Sequence, residues 1–286
     1  MQRLIYTIGI TALMMGCSLM NKFPSENYYQ FSYYRNYYQQ NDSLIFEIQN
    51  PLKCPLRVSI SSKDKELKQL VNLFDTITLK ENSDTLLKFY FPFEKDLEIN
   101  FRSVFGSLNK EIKKVTIAFP FCEGKTHKIL QGYNGRYSHS TNYSRYALDF
   151  DLKVNDTICS ADEGFVVGVI EDYKYGGSSK KWKNNDKSNF ITIYHPHSGL
   201  FTQYVHLIHK GSFVKIGDKV RRGQAIGLSG TTGFTSVEHL HFNVLKPSYS
   251  GGLVSTEIEF CGGSLGKNLK YKDTVKNVQK ESTITK

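Results

Sequence analysis

Several features that would assign a function at once are missing from this sequence. The 286 residues include only five cysteines, and none of them are paired in the Cys-x-x-Cys spacing that holds structural zinc ions. The lysines are scattered, with no arginine-rich stripe of the kind that binds nucleic acid. No run reaches the roughly 18 apolar residues that a membrane-spanning helix needs. Since 40% of the residues are hydrophobic, the chain can form a substantial core.

Negative charge is also in short supply. The formal net charge is +10, which favours anionic partners such as nucleic acid, membrane surfaces or anionic cell-wall polymers. The charge alone does not choose among these partners. Because the lysines are scattered and no helix carries aligned basic residues, we expect no nucleic-acid partner.

The N-terminus has the pattern of an export signal. Arg3 precedes an apolar run over residues 4–15, and Gly16 and Cys17 follow it. The run is too short to cross a bilayer, which is typical of a secretory signal. A small residue before a cysteine resembles a bacterial lipoprotein signal, so we expect residues 1–17 to be a signal peptide that ends at a lipidated Cys17. The protein would then be exported, periplasmic and anchored to the outer membrane; an ordinary secretory signal cleaved nearby is the alternative.

Four cysteines remain if Cys17 carries lipid, namely Cys54, Cys122, Cys159 and Cys261. An oxidising compartment permits disulfides among them. Four cysteines allow three pairings, and the sequence does not distinguish these pairings.

The chain divides into two parts by pattern. Segments such as SLIFEIQNP and DTLLKFYFP are rich in β-branched and aromatic residues and end at proline, which predicts a β-sandwich-like domain over residues 18–117. KELKQLVNLF predicts a short helix within it. Pro120 and the glycines that follow indicate a boundary, so we expect a second β-rich domain over 118–255. A C-terminal extension and polar tail, 256–286, would complete a mainly β protein.

The stretch VEHLHFNV carries two closely spaced histidines. Side chains two apart on a strand share a face and lie about 6.6 Å apart, so His239 and His241 point the same way while Leu240 and Phe242 face the core. A single histidine in a strand is more often a core or surface residue than a ligand. Burying two neighbouring imidazoles without partners costs several kcal/mol, and the pair therefore favours a functional site.

Other segments repeat this segregation. Alternation in QYVHLIH places Tyr204 and His206 on one face. In YALDFDL it places Asp149 and Asp151 opposite the apolar residues. His139, in the polar segment NGRYSHSTNYS, adds a further donor. Together these residues predict a site on the open face of a sheet.

The motifs SHSTNYSRYALDFDL, YVHL and TTGFTSVEHLHF, in this order, resemble those of the lysostaphin-type (LytM-like) zinc metalloendopeptidases. Members of that family cut peptide bridges in bacterial peptidoglycan. The resemblance covers residues 118–250 and includes DEGFVVGV and GDKVRRGQAIGLSGTTGF between the motifs. It implies a β-rich LytM-like fold of the duplicated hybrid motif type, with peptidoglycan peptide as the substrate.

The resemblance also implies roles for five residues. His139, Asp149 and His241 match the positions that bind zinc, which implies one Zn²⁺ per chain. His206 and His239 match the catalytic pair that does not bind the metal. Zinc with three protein ligands and an open position polarises a carbonyl and activates water. One of the two free histidines would transfer protons and the other would hydrogen-bond the oxyanion, and the sequence leaves open which does which.

Several positions depart from the family pattern. His139 precedes Asp149 by ten residues, which indicates an inserted loop. Asp151 lies on the same predicted face as Asp149, although the adjacent DF favours Asp149. Asn155 stands where glycine is usual, and asparagine tolerates positive φ. Glu238 stands where proline is usual.

The expected activity is therefore zinc-dependent hydrolysis of a peptidoglycan cross-link. Two other classes compete with it, a non-catalytic LytM-like regulator that activates a cell-wall amidase and a wall-binding module without turnover. The long basic loop 172–189 would form one wall of a substrate groove or merely a solvated connection. The bond that is cleaved and any protein partners stay open.

Overall fold

The computed structural model describes residues 25–72, 76–93, 95–185 and 187–278. The predicted signal peptide with Cys17, and the end of the tail after residue 278, lie outside the described residues. Within them the chain is built mostly of short strands, which confirms the predicted mainly β fold. No helix in these ranges has the length and apolar character to cross a membrane. The helices are α1 (Lys65–Val71), α2 (Lys180–Lys183) and a 3₁₀ turn (Gly266–Asn268).

The N-terminal part forms two three-stranded sheets. Their strands are β1 (Arg35–Gln40), β2 (Ser43–Asn50), β3 (Leu56–Ser62), β4 (Ile77–Leu79), β5 (Ser83–Tyr90) and β6 (Ile99–Phe105). One sheet has the order β1-β2-β5 and the other the order β4-β3-β6, and all neighbours are antiparallel. Alternation of apolar and polar residues along these strands gives each sheet one apolar face.

Both sheets contribute to one apolar cluster. Phe46 of β2 and Val58 of β3 are fully buried in it. The rings of Phe46 and Phe101, one from each sheet, meet edge to face with centroids 6.1 Å apart. The short predicted helix is present as α1, whose Leu67 also reaches this cluster. The predicted sandwich domain, with its bounds at 18 and 117, stays a prediction.

The C-terminal part is organised around a nine-stranded sheet. The strands of this part are β7 (Thr116–Ile117), β8 (Thr126–Gln131), β9 (Leu148–Phe150), β10 (Thr157–Cys159), β11 (Gly164–Ile170), β12 (Gly176–Gly177), β13 (Phe190–His195), β14 (Leu200–Val205), β15 (Leu207–Ser212), β16 (Lys219–Val220), β17 (Ala225–Ser229), β18 (Gly233–Phe234), β19 (Leu240–Pro247), β20 (Leu253–Ser255), β21 (Glu259–Phe260), β22 (Ser264–Leu265) and β23 (Thr274–Lys276). The order of the large sheet, among the described residues, is β16-β11-β13-β14-β19-β9-β8-β23, with β20 paired to β19. Smaller sheets have the orders β10-β17-β15, β12-β18 and β22-β21-β7.

The two faces of the large sheet have different neighbours. One face packs into a second apolar cluster that includes Phe150, Tyr204, Leu240 and Phe242, each at most 1% exposed. The burial of Leu240 and Phe242 agrees with the alternation predicted for the HxH strand. The opposite face of the large sheet carries polar groups at one of its ends.

The N-terminal sheets cover the other end of that opposite face. Phe201 of β14 and Leu245 of β19 belong to the N-terminal cluster. Phe201 stacks on Phe105 with ring centroids 5.7 Å apart. Gly106, at φ +87°, packs so closely on Pro247 that a Cβ atom would lie 2.3 Å from the proline ring. Only glycine fits both the backbone conformation and the space.

Arg57 joins the N-terminal sheet to the C-terminal part. It is 3% exposed, and burial lowers its pKa. Its guanidinium donates hydrogen bonds to the carbonyl oxygens of Gly106, Ser248 and Gly252 at 2.7 to 3.1 Å. A buried cation costs free energy unless it is paired or hydrogen-bonded, and here the carbonyl oxygens supply the acceptors.

We predict that Arg57→Met destabilises the protein by about 2–4 kcal/mol, because the substitution leaves several carbonyl oxygens of this junction without donors. Chemical denaturation measures the change. Arg221→Met is the matched control, since Arg221 is exposed. Equal stability of the two variants would show that the Arg57 contacts do not hold the junction.

Candidate metal centre and active site

Strand register brings the polar residues of the large sheet into one row. His241 of β19 pairs with Val205 of β14 on one side and with Asp149 of β9 on the other. Asp149 in turn pairs with Gln131 of β8. Directly opposed residues point to the same face of a sheet. The row therefore lies on the face away from the apolar cluster that contains Leu240 and Phe242.

Three of the predicted residues converge on one point. His139 Nε2 lies 3.1 Å from Asp149 Oδ1 and 3.2 Å from His241 Nδ1, and the last two atoms are 2.9 Å apart. Among the described residues, these three form the group of metal-competent side chains that the structure brings together. They come from a loop and two strands separated by up to 102 positions in the chain.

This donor set fits a zinc ion. Zinc takes imidazole nitrogen and carboxylate oxygen at about 2.0–2.2 Å with tetrahedral geometry, which separates neighbouring donor atoms by about 3.3 Å. The distances of 2.9 to 3.2 Å match that spacing. His139 Nδ1 donates to the carbonyl of Gly132 at 2.9 Å, which leaves Nε2 unprotonated toward the cluster. Gln131 Nε2 donates to Asp149 Oδ2 at 3.0 Å and so orients the carboxylate.

His206 and His239 lie beside this cluster, with ring centroids 4.6 Å apart. His206 Nδ1 donates to the carbonyl of Thr232 at 2.7 Å. His239 Nδ1 donates to the carbonyl of Val237 at 2.9 Å. These bonds leave the Nε2 atom of each neutral ring free to accept a proton. The Nε2 atom of His239 is 3.8 Å from Asp149 Oδ1.

The predicted facing of the YVHL strand is wrong. Tyr204 is fully buried in the apolar cluster, and its hydroxyl oxygen accepts hydrogen bonds from the Thr202 hydroxyl and from the Ala161 N–H. Val205 faces the groove instead. His206 has φ +73° and leaves the strand at this residue, so strict alternation ends one position earlier. The left-handed residue turns the imidazole to the groove side.

Burial and neighbouring groups shift the pKa values of the site residues in different directions. Burial opposes ionisation of Asp149, but the imidazoles of His239, His139 and His241 hold its pKa well below the usual range. Burial and the neighbouring imidazoles lower the pKa of His206 well below its ordinary value. Burial also lowers the pKa of His241. For His139, burial is outweighed by the hydrogen bond to Asp149, and its pKa is raised. The site thus combines an ionised carboxylate with His241, whose lowered pKa favours the neutral imidazole that metal binding needs.

The cluster lies in a groove of about 620 Å³. Val205 and Gln203 belong to its floor, and the loop that carries His139 forms one wall. Loop 172–189 supplies the other wall, with Trp182, Lys183, Asn185 and Ser188. The structure therefore favours a groove wall over a merely solvated connection for this loop.

A two-stranded ladder fixes that wall. Gly176 and Gly177 of β12 pair in parallel with Gly233 and Phe234 of β18. A Cβ atom on Gly176 would lie 1.9 Å from the carbonyl oxygen of Thr231, so glycine permits the close approach of the two backbones. The ladder ties the wall to the segment that precedes His239.

Three other residues singled out in the sequence lie outside the cluster. Asp151 lies away from the cluster, where its carboxylate accepts from the Lys128 N–H at 2.7 Å and approaches His127. Asn155 has φ +70°, which agrees with the turn expected at that position. Glu238 lies 3.5 Å from Lys153 Nζ on the surface.

Sequence reasoning did not identify the residues that orient the histidines. Gln131 reaches Asp149, and the carbonyls of Gly132, Thr232 and Val237 anchor the imidazoles. Backbone carbonyls carry no residue-type signal. The register of β8 with β9, which brings Gln131 opposite Asp149, includes an irregularity between Ile129 and Gln131 that no pattern announces.

Residues 143–252 of the chain match peptidase family M23. An uncharacterized metalloprotease of Buchnera aphidicola is 28% identical over 214 residues, covering 69% of this chain and 51% of the relative. The peptidoglycan DD-endopeptidase ShyA of Vibrio cholerae is 33% identical over 97 residues, 34% of this chain and 19% of the relative. The chain thus spans about half or less of the length of these relatives. The catalytic domain of lysostaphin from Staphylococcus simulans is 26% identical, with 44% of this chain and 82% of that domain covered and a TM-score of 0.32. Residues 143–252 of this chain thus match a peptidase family M23 domain, and the chain is similar in part to lysostaphin and to a peptidoglycan DD-endopeptidase.

Proposed function

We propose that the protein is a zinc-dependent endopeptidase that hydrolyses peptide cross-links of bacterial peptidoglycan. The observation that carries the proposal is the convergence of His139, Asp149 and His241, with His206 and His239 beside them. His139, Asp149 and His241 would hold a zinc ion, which would supply Lewis acidity for the scissile carbonyl and for the attacking water. The homologous ShyA is a peptidoglycan DD-endopeptidase by name, which supports the substrate class.

The two outer histidines would handle protons and developing charge. Each has its Nδ1 proton held by a backbone carbonyl, Thr232 for His206 and Val237 for His239. The free Nε2 of one ring accepts a proton from the attacking water and returns it to the leaving amine. The other ring, once protonated, hydrogen-bonds the oxyanion. The anchoring bonds keep both rings oriented before substrate arrives.

The groove supports a peptide as the substrate. Its wall carries Tyr137 stacked on Phe234, with centroids 5.1 Å apart, and Lys183 Nζ lies 6.0 Å from the centroid of the Phe234 ring. Aromatic faces pack against the aliphatic parts of a peptide. The lysine attracts the free carboxylates that wall peptides carry.

The proposed substrate also implies where in the cell the protein acts. An enzyme for peptidoglycan acts outside the inner membrane, which agrees with the predicted export signal. Lipid anchoring at Cys17 to the outer membrane, and the division of the chain at residues 117 and 255, belong to the proposal. The N-terminal sheets would hold the peptidase domain in a fixed orientation through the Arg57 junction.

Replacing His241 tests the metal site. We predict that His241→Ala lowers zinc content from about one ion per chain to near zero, since it removes one of the three protein ligands. Mass spectrometry of metals in the purified chain measures this content. His209→Ala is the matched control, because His209 is exposed and outside the cluster. Absence of zinc from the unmodified protein would instead favour a non-catalytic regulator.

Replacing the outer histidines separates catalysis from metal binding. We predict that His206→Ala and His239→Ala each keep the zinc ion and lower kcat by about 10²- to 10⁴-fold, the usual contribution of a general acid–base group. Release of soluble muropeptides from purified sacculi, followed by mass spectrometry, gives both the rate and the bond that is cut. Loss of zinc in either variant would place that histidine among the ligands. Normal turnover would remove it from the mechanism.

A further inference from the structure

Two cysteines outside the proposed active site lie side by side. The Sγ atoms of Cys122 and Cys159 are 3.3 Å apart. Cys122 is partly exposed, whereas Cys159 is 1% exposed. Neither residue takes part in the proposed metal site or its supporting hydrogen bonds.

The backbone already holds the two cysteines in position. Phe121 and Ile158 form an antiparallel bridge, so Cys122 and Cys159, each one residue further along its own strand, point to the same face and lie diagonally across the bridge. The N–H of Cys159 donates to the carbonyl of Pro120 at 3.1 Å. The amide of Asn277 donates to the carbonyl of Phe121. Since an S–S bond is about 2.0 Å long, the sulfurs must approach by about 1.3 Å to form it.

The other two cysteines of the described residues have different surroundings. Cys54 is fully buried in the N-terminal apolar cluster. Cys261 lies 3.8 Å from Arg222 Nη1, measured from its Sγ atom. Of the three pairings that the sequence allows, the structure therefore favours the one that contains Cys122 and Cys159.

We propose that Cys122 and Cys159 form a disulfide when the protein enters an oxidising compartment. The bond would close a loop whose ends are 37 positions apart, and this loop carries both His139 and Asp149. Two of the three proposed metal ligands would then lie inside one covalent ring. The pairing rests on the thiol geometry alone and holds whether or not the site binds zinc.

The oxidant is a protein disulfide, that of an oxidised thiol–disulfide oxidoreductase. The partly exposed Cys122, as its thiolate, attacks one sulfur of that disulfide, and the other sulfur leaves as a thiolate with the bonding electrons. Cys159 then loses its proton and attacks Cys122 Sγ, which releases the oxidoreductase as a dithiol. Two electrons and two protons pass from the cysteine pair to the oxidoreductase.

The order of attack follows from the environments of the two thiols. Burial and the hydrogen bond with Cys122 raise the pKa of Cys159 to about 12. A thiol of this kind is a poor first nucleophile. The partly exposed Cys122 is accessible to an incoming protein disulfide, and Cys159 acts as the resolving thiol.

Peptide mapping tests the pairing directly. The full-length chain is treated with oxidised glutathione, a small disulfide of the same chemical class, or with a phosphine reductant, and is then alkylated and digested. We expect a cross-linked peptide with Cys122 joined to Cys159 only after oxidation. A cross-link through Cys54 or Cys261 overturns the proposal, and so does glutathione that stays on Cys122 without cross-link formation.

Thermal unfolding of the metal-free chain provides the second readout. Oxidation is expected to raise Tm by roughly 5–10 °C, because the bond restricts the unfolded chain. Cys122→Ser should abolish this increase, while Cys261→Ser should retain it. An increase that persists in Cys122→Ser overturns the proposal. Metal content, which tests the proposed function, is measured separately, so the two can fail independently.

Discussion

Asp149 is a buried carboxylate in the middle of a sheet, and the rest of the site depends on how its charge is stabilised. A lone carboxylate at this depth would be neutral or would destabilise the fold. Here His139 and His241 lie within 3.1 Å of the same oxygen, and Gln131 donates to the other. The carboxylate thereby keeps its charge, and its oxygen lies with the two imidazole nitrogens around a common point. A metal ion is the natural partner for that arrangement.

The histidines around Asp149 are positioned mainly by backbone carbonyls. Gly132, Thr232 and Val237 each accept from an Nδ1 atom of a different imidazole. These carbonyls belong to turns and loops, so the site depends on the loop conformations as much as on the strands. The parallel ladder between β12 and β18 and the left-handed conformation at His206 fix those loops against the sheet. Secondary contacts of this kind fix the orientation of side chains around a metal site.

One face of the large sheet serves two purposes. Along β19, His241 faces the groove and Leu245 faces the N-terminal cluster, while along β14 the same division separates Val205 from Phe201. Because the side chains of a strand alternate, these residues lie on the same face four positions apart. The N-terminal sheets thus cover the part of this face that lies outside the groove. A smaller cavity of about 150 Å³, lined in part by Gln30, lies where the two regions meet.

The sequence by itself determined the strand character of the chain and the residue types of the site. Alternation placed Asp149 and His241 opposite the core, and the order of the motifs indicated the family. Tertiary structure decided what alternation could not: the facing of His206, which depends on one left-handed residue, and the choice of Asp149 over Asp151 as the partner of His139 in space. It also brought Cys122 within 3.3 Å of Cys159. These outcomes depend on strand register and on loop closure between distant segments, which local patterns do not encode.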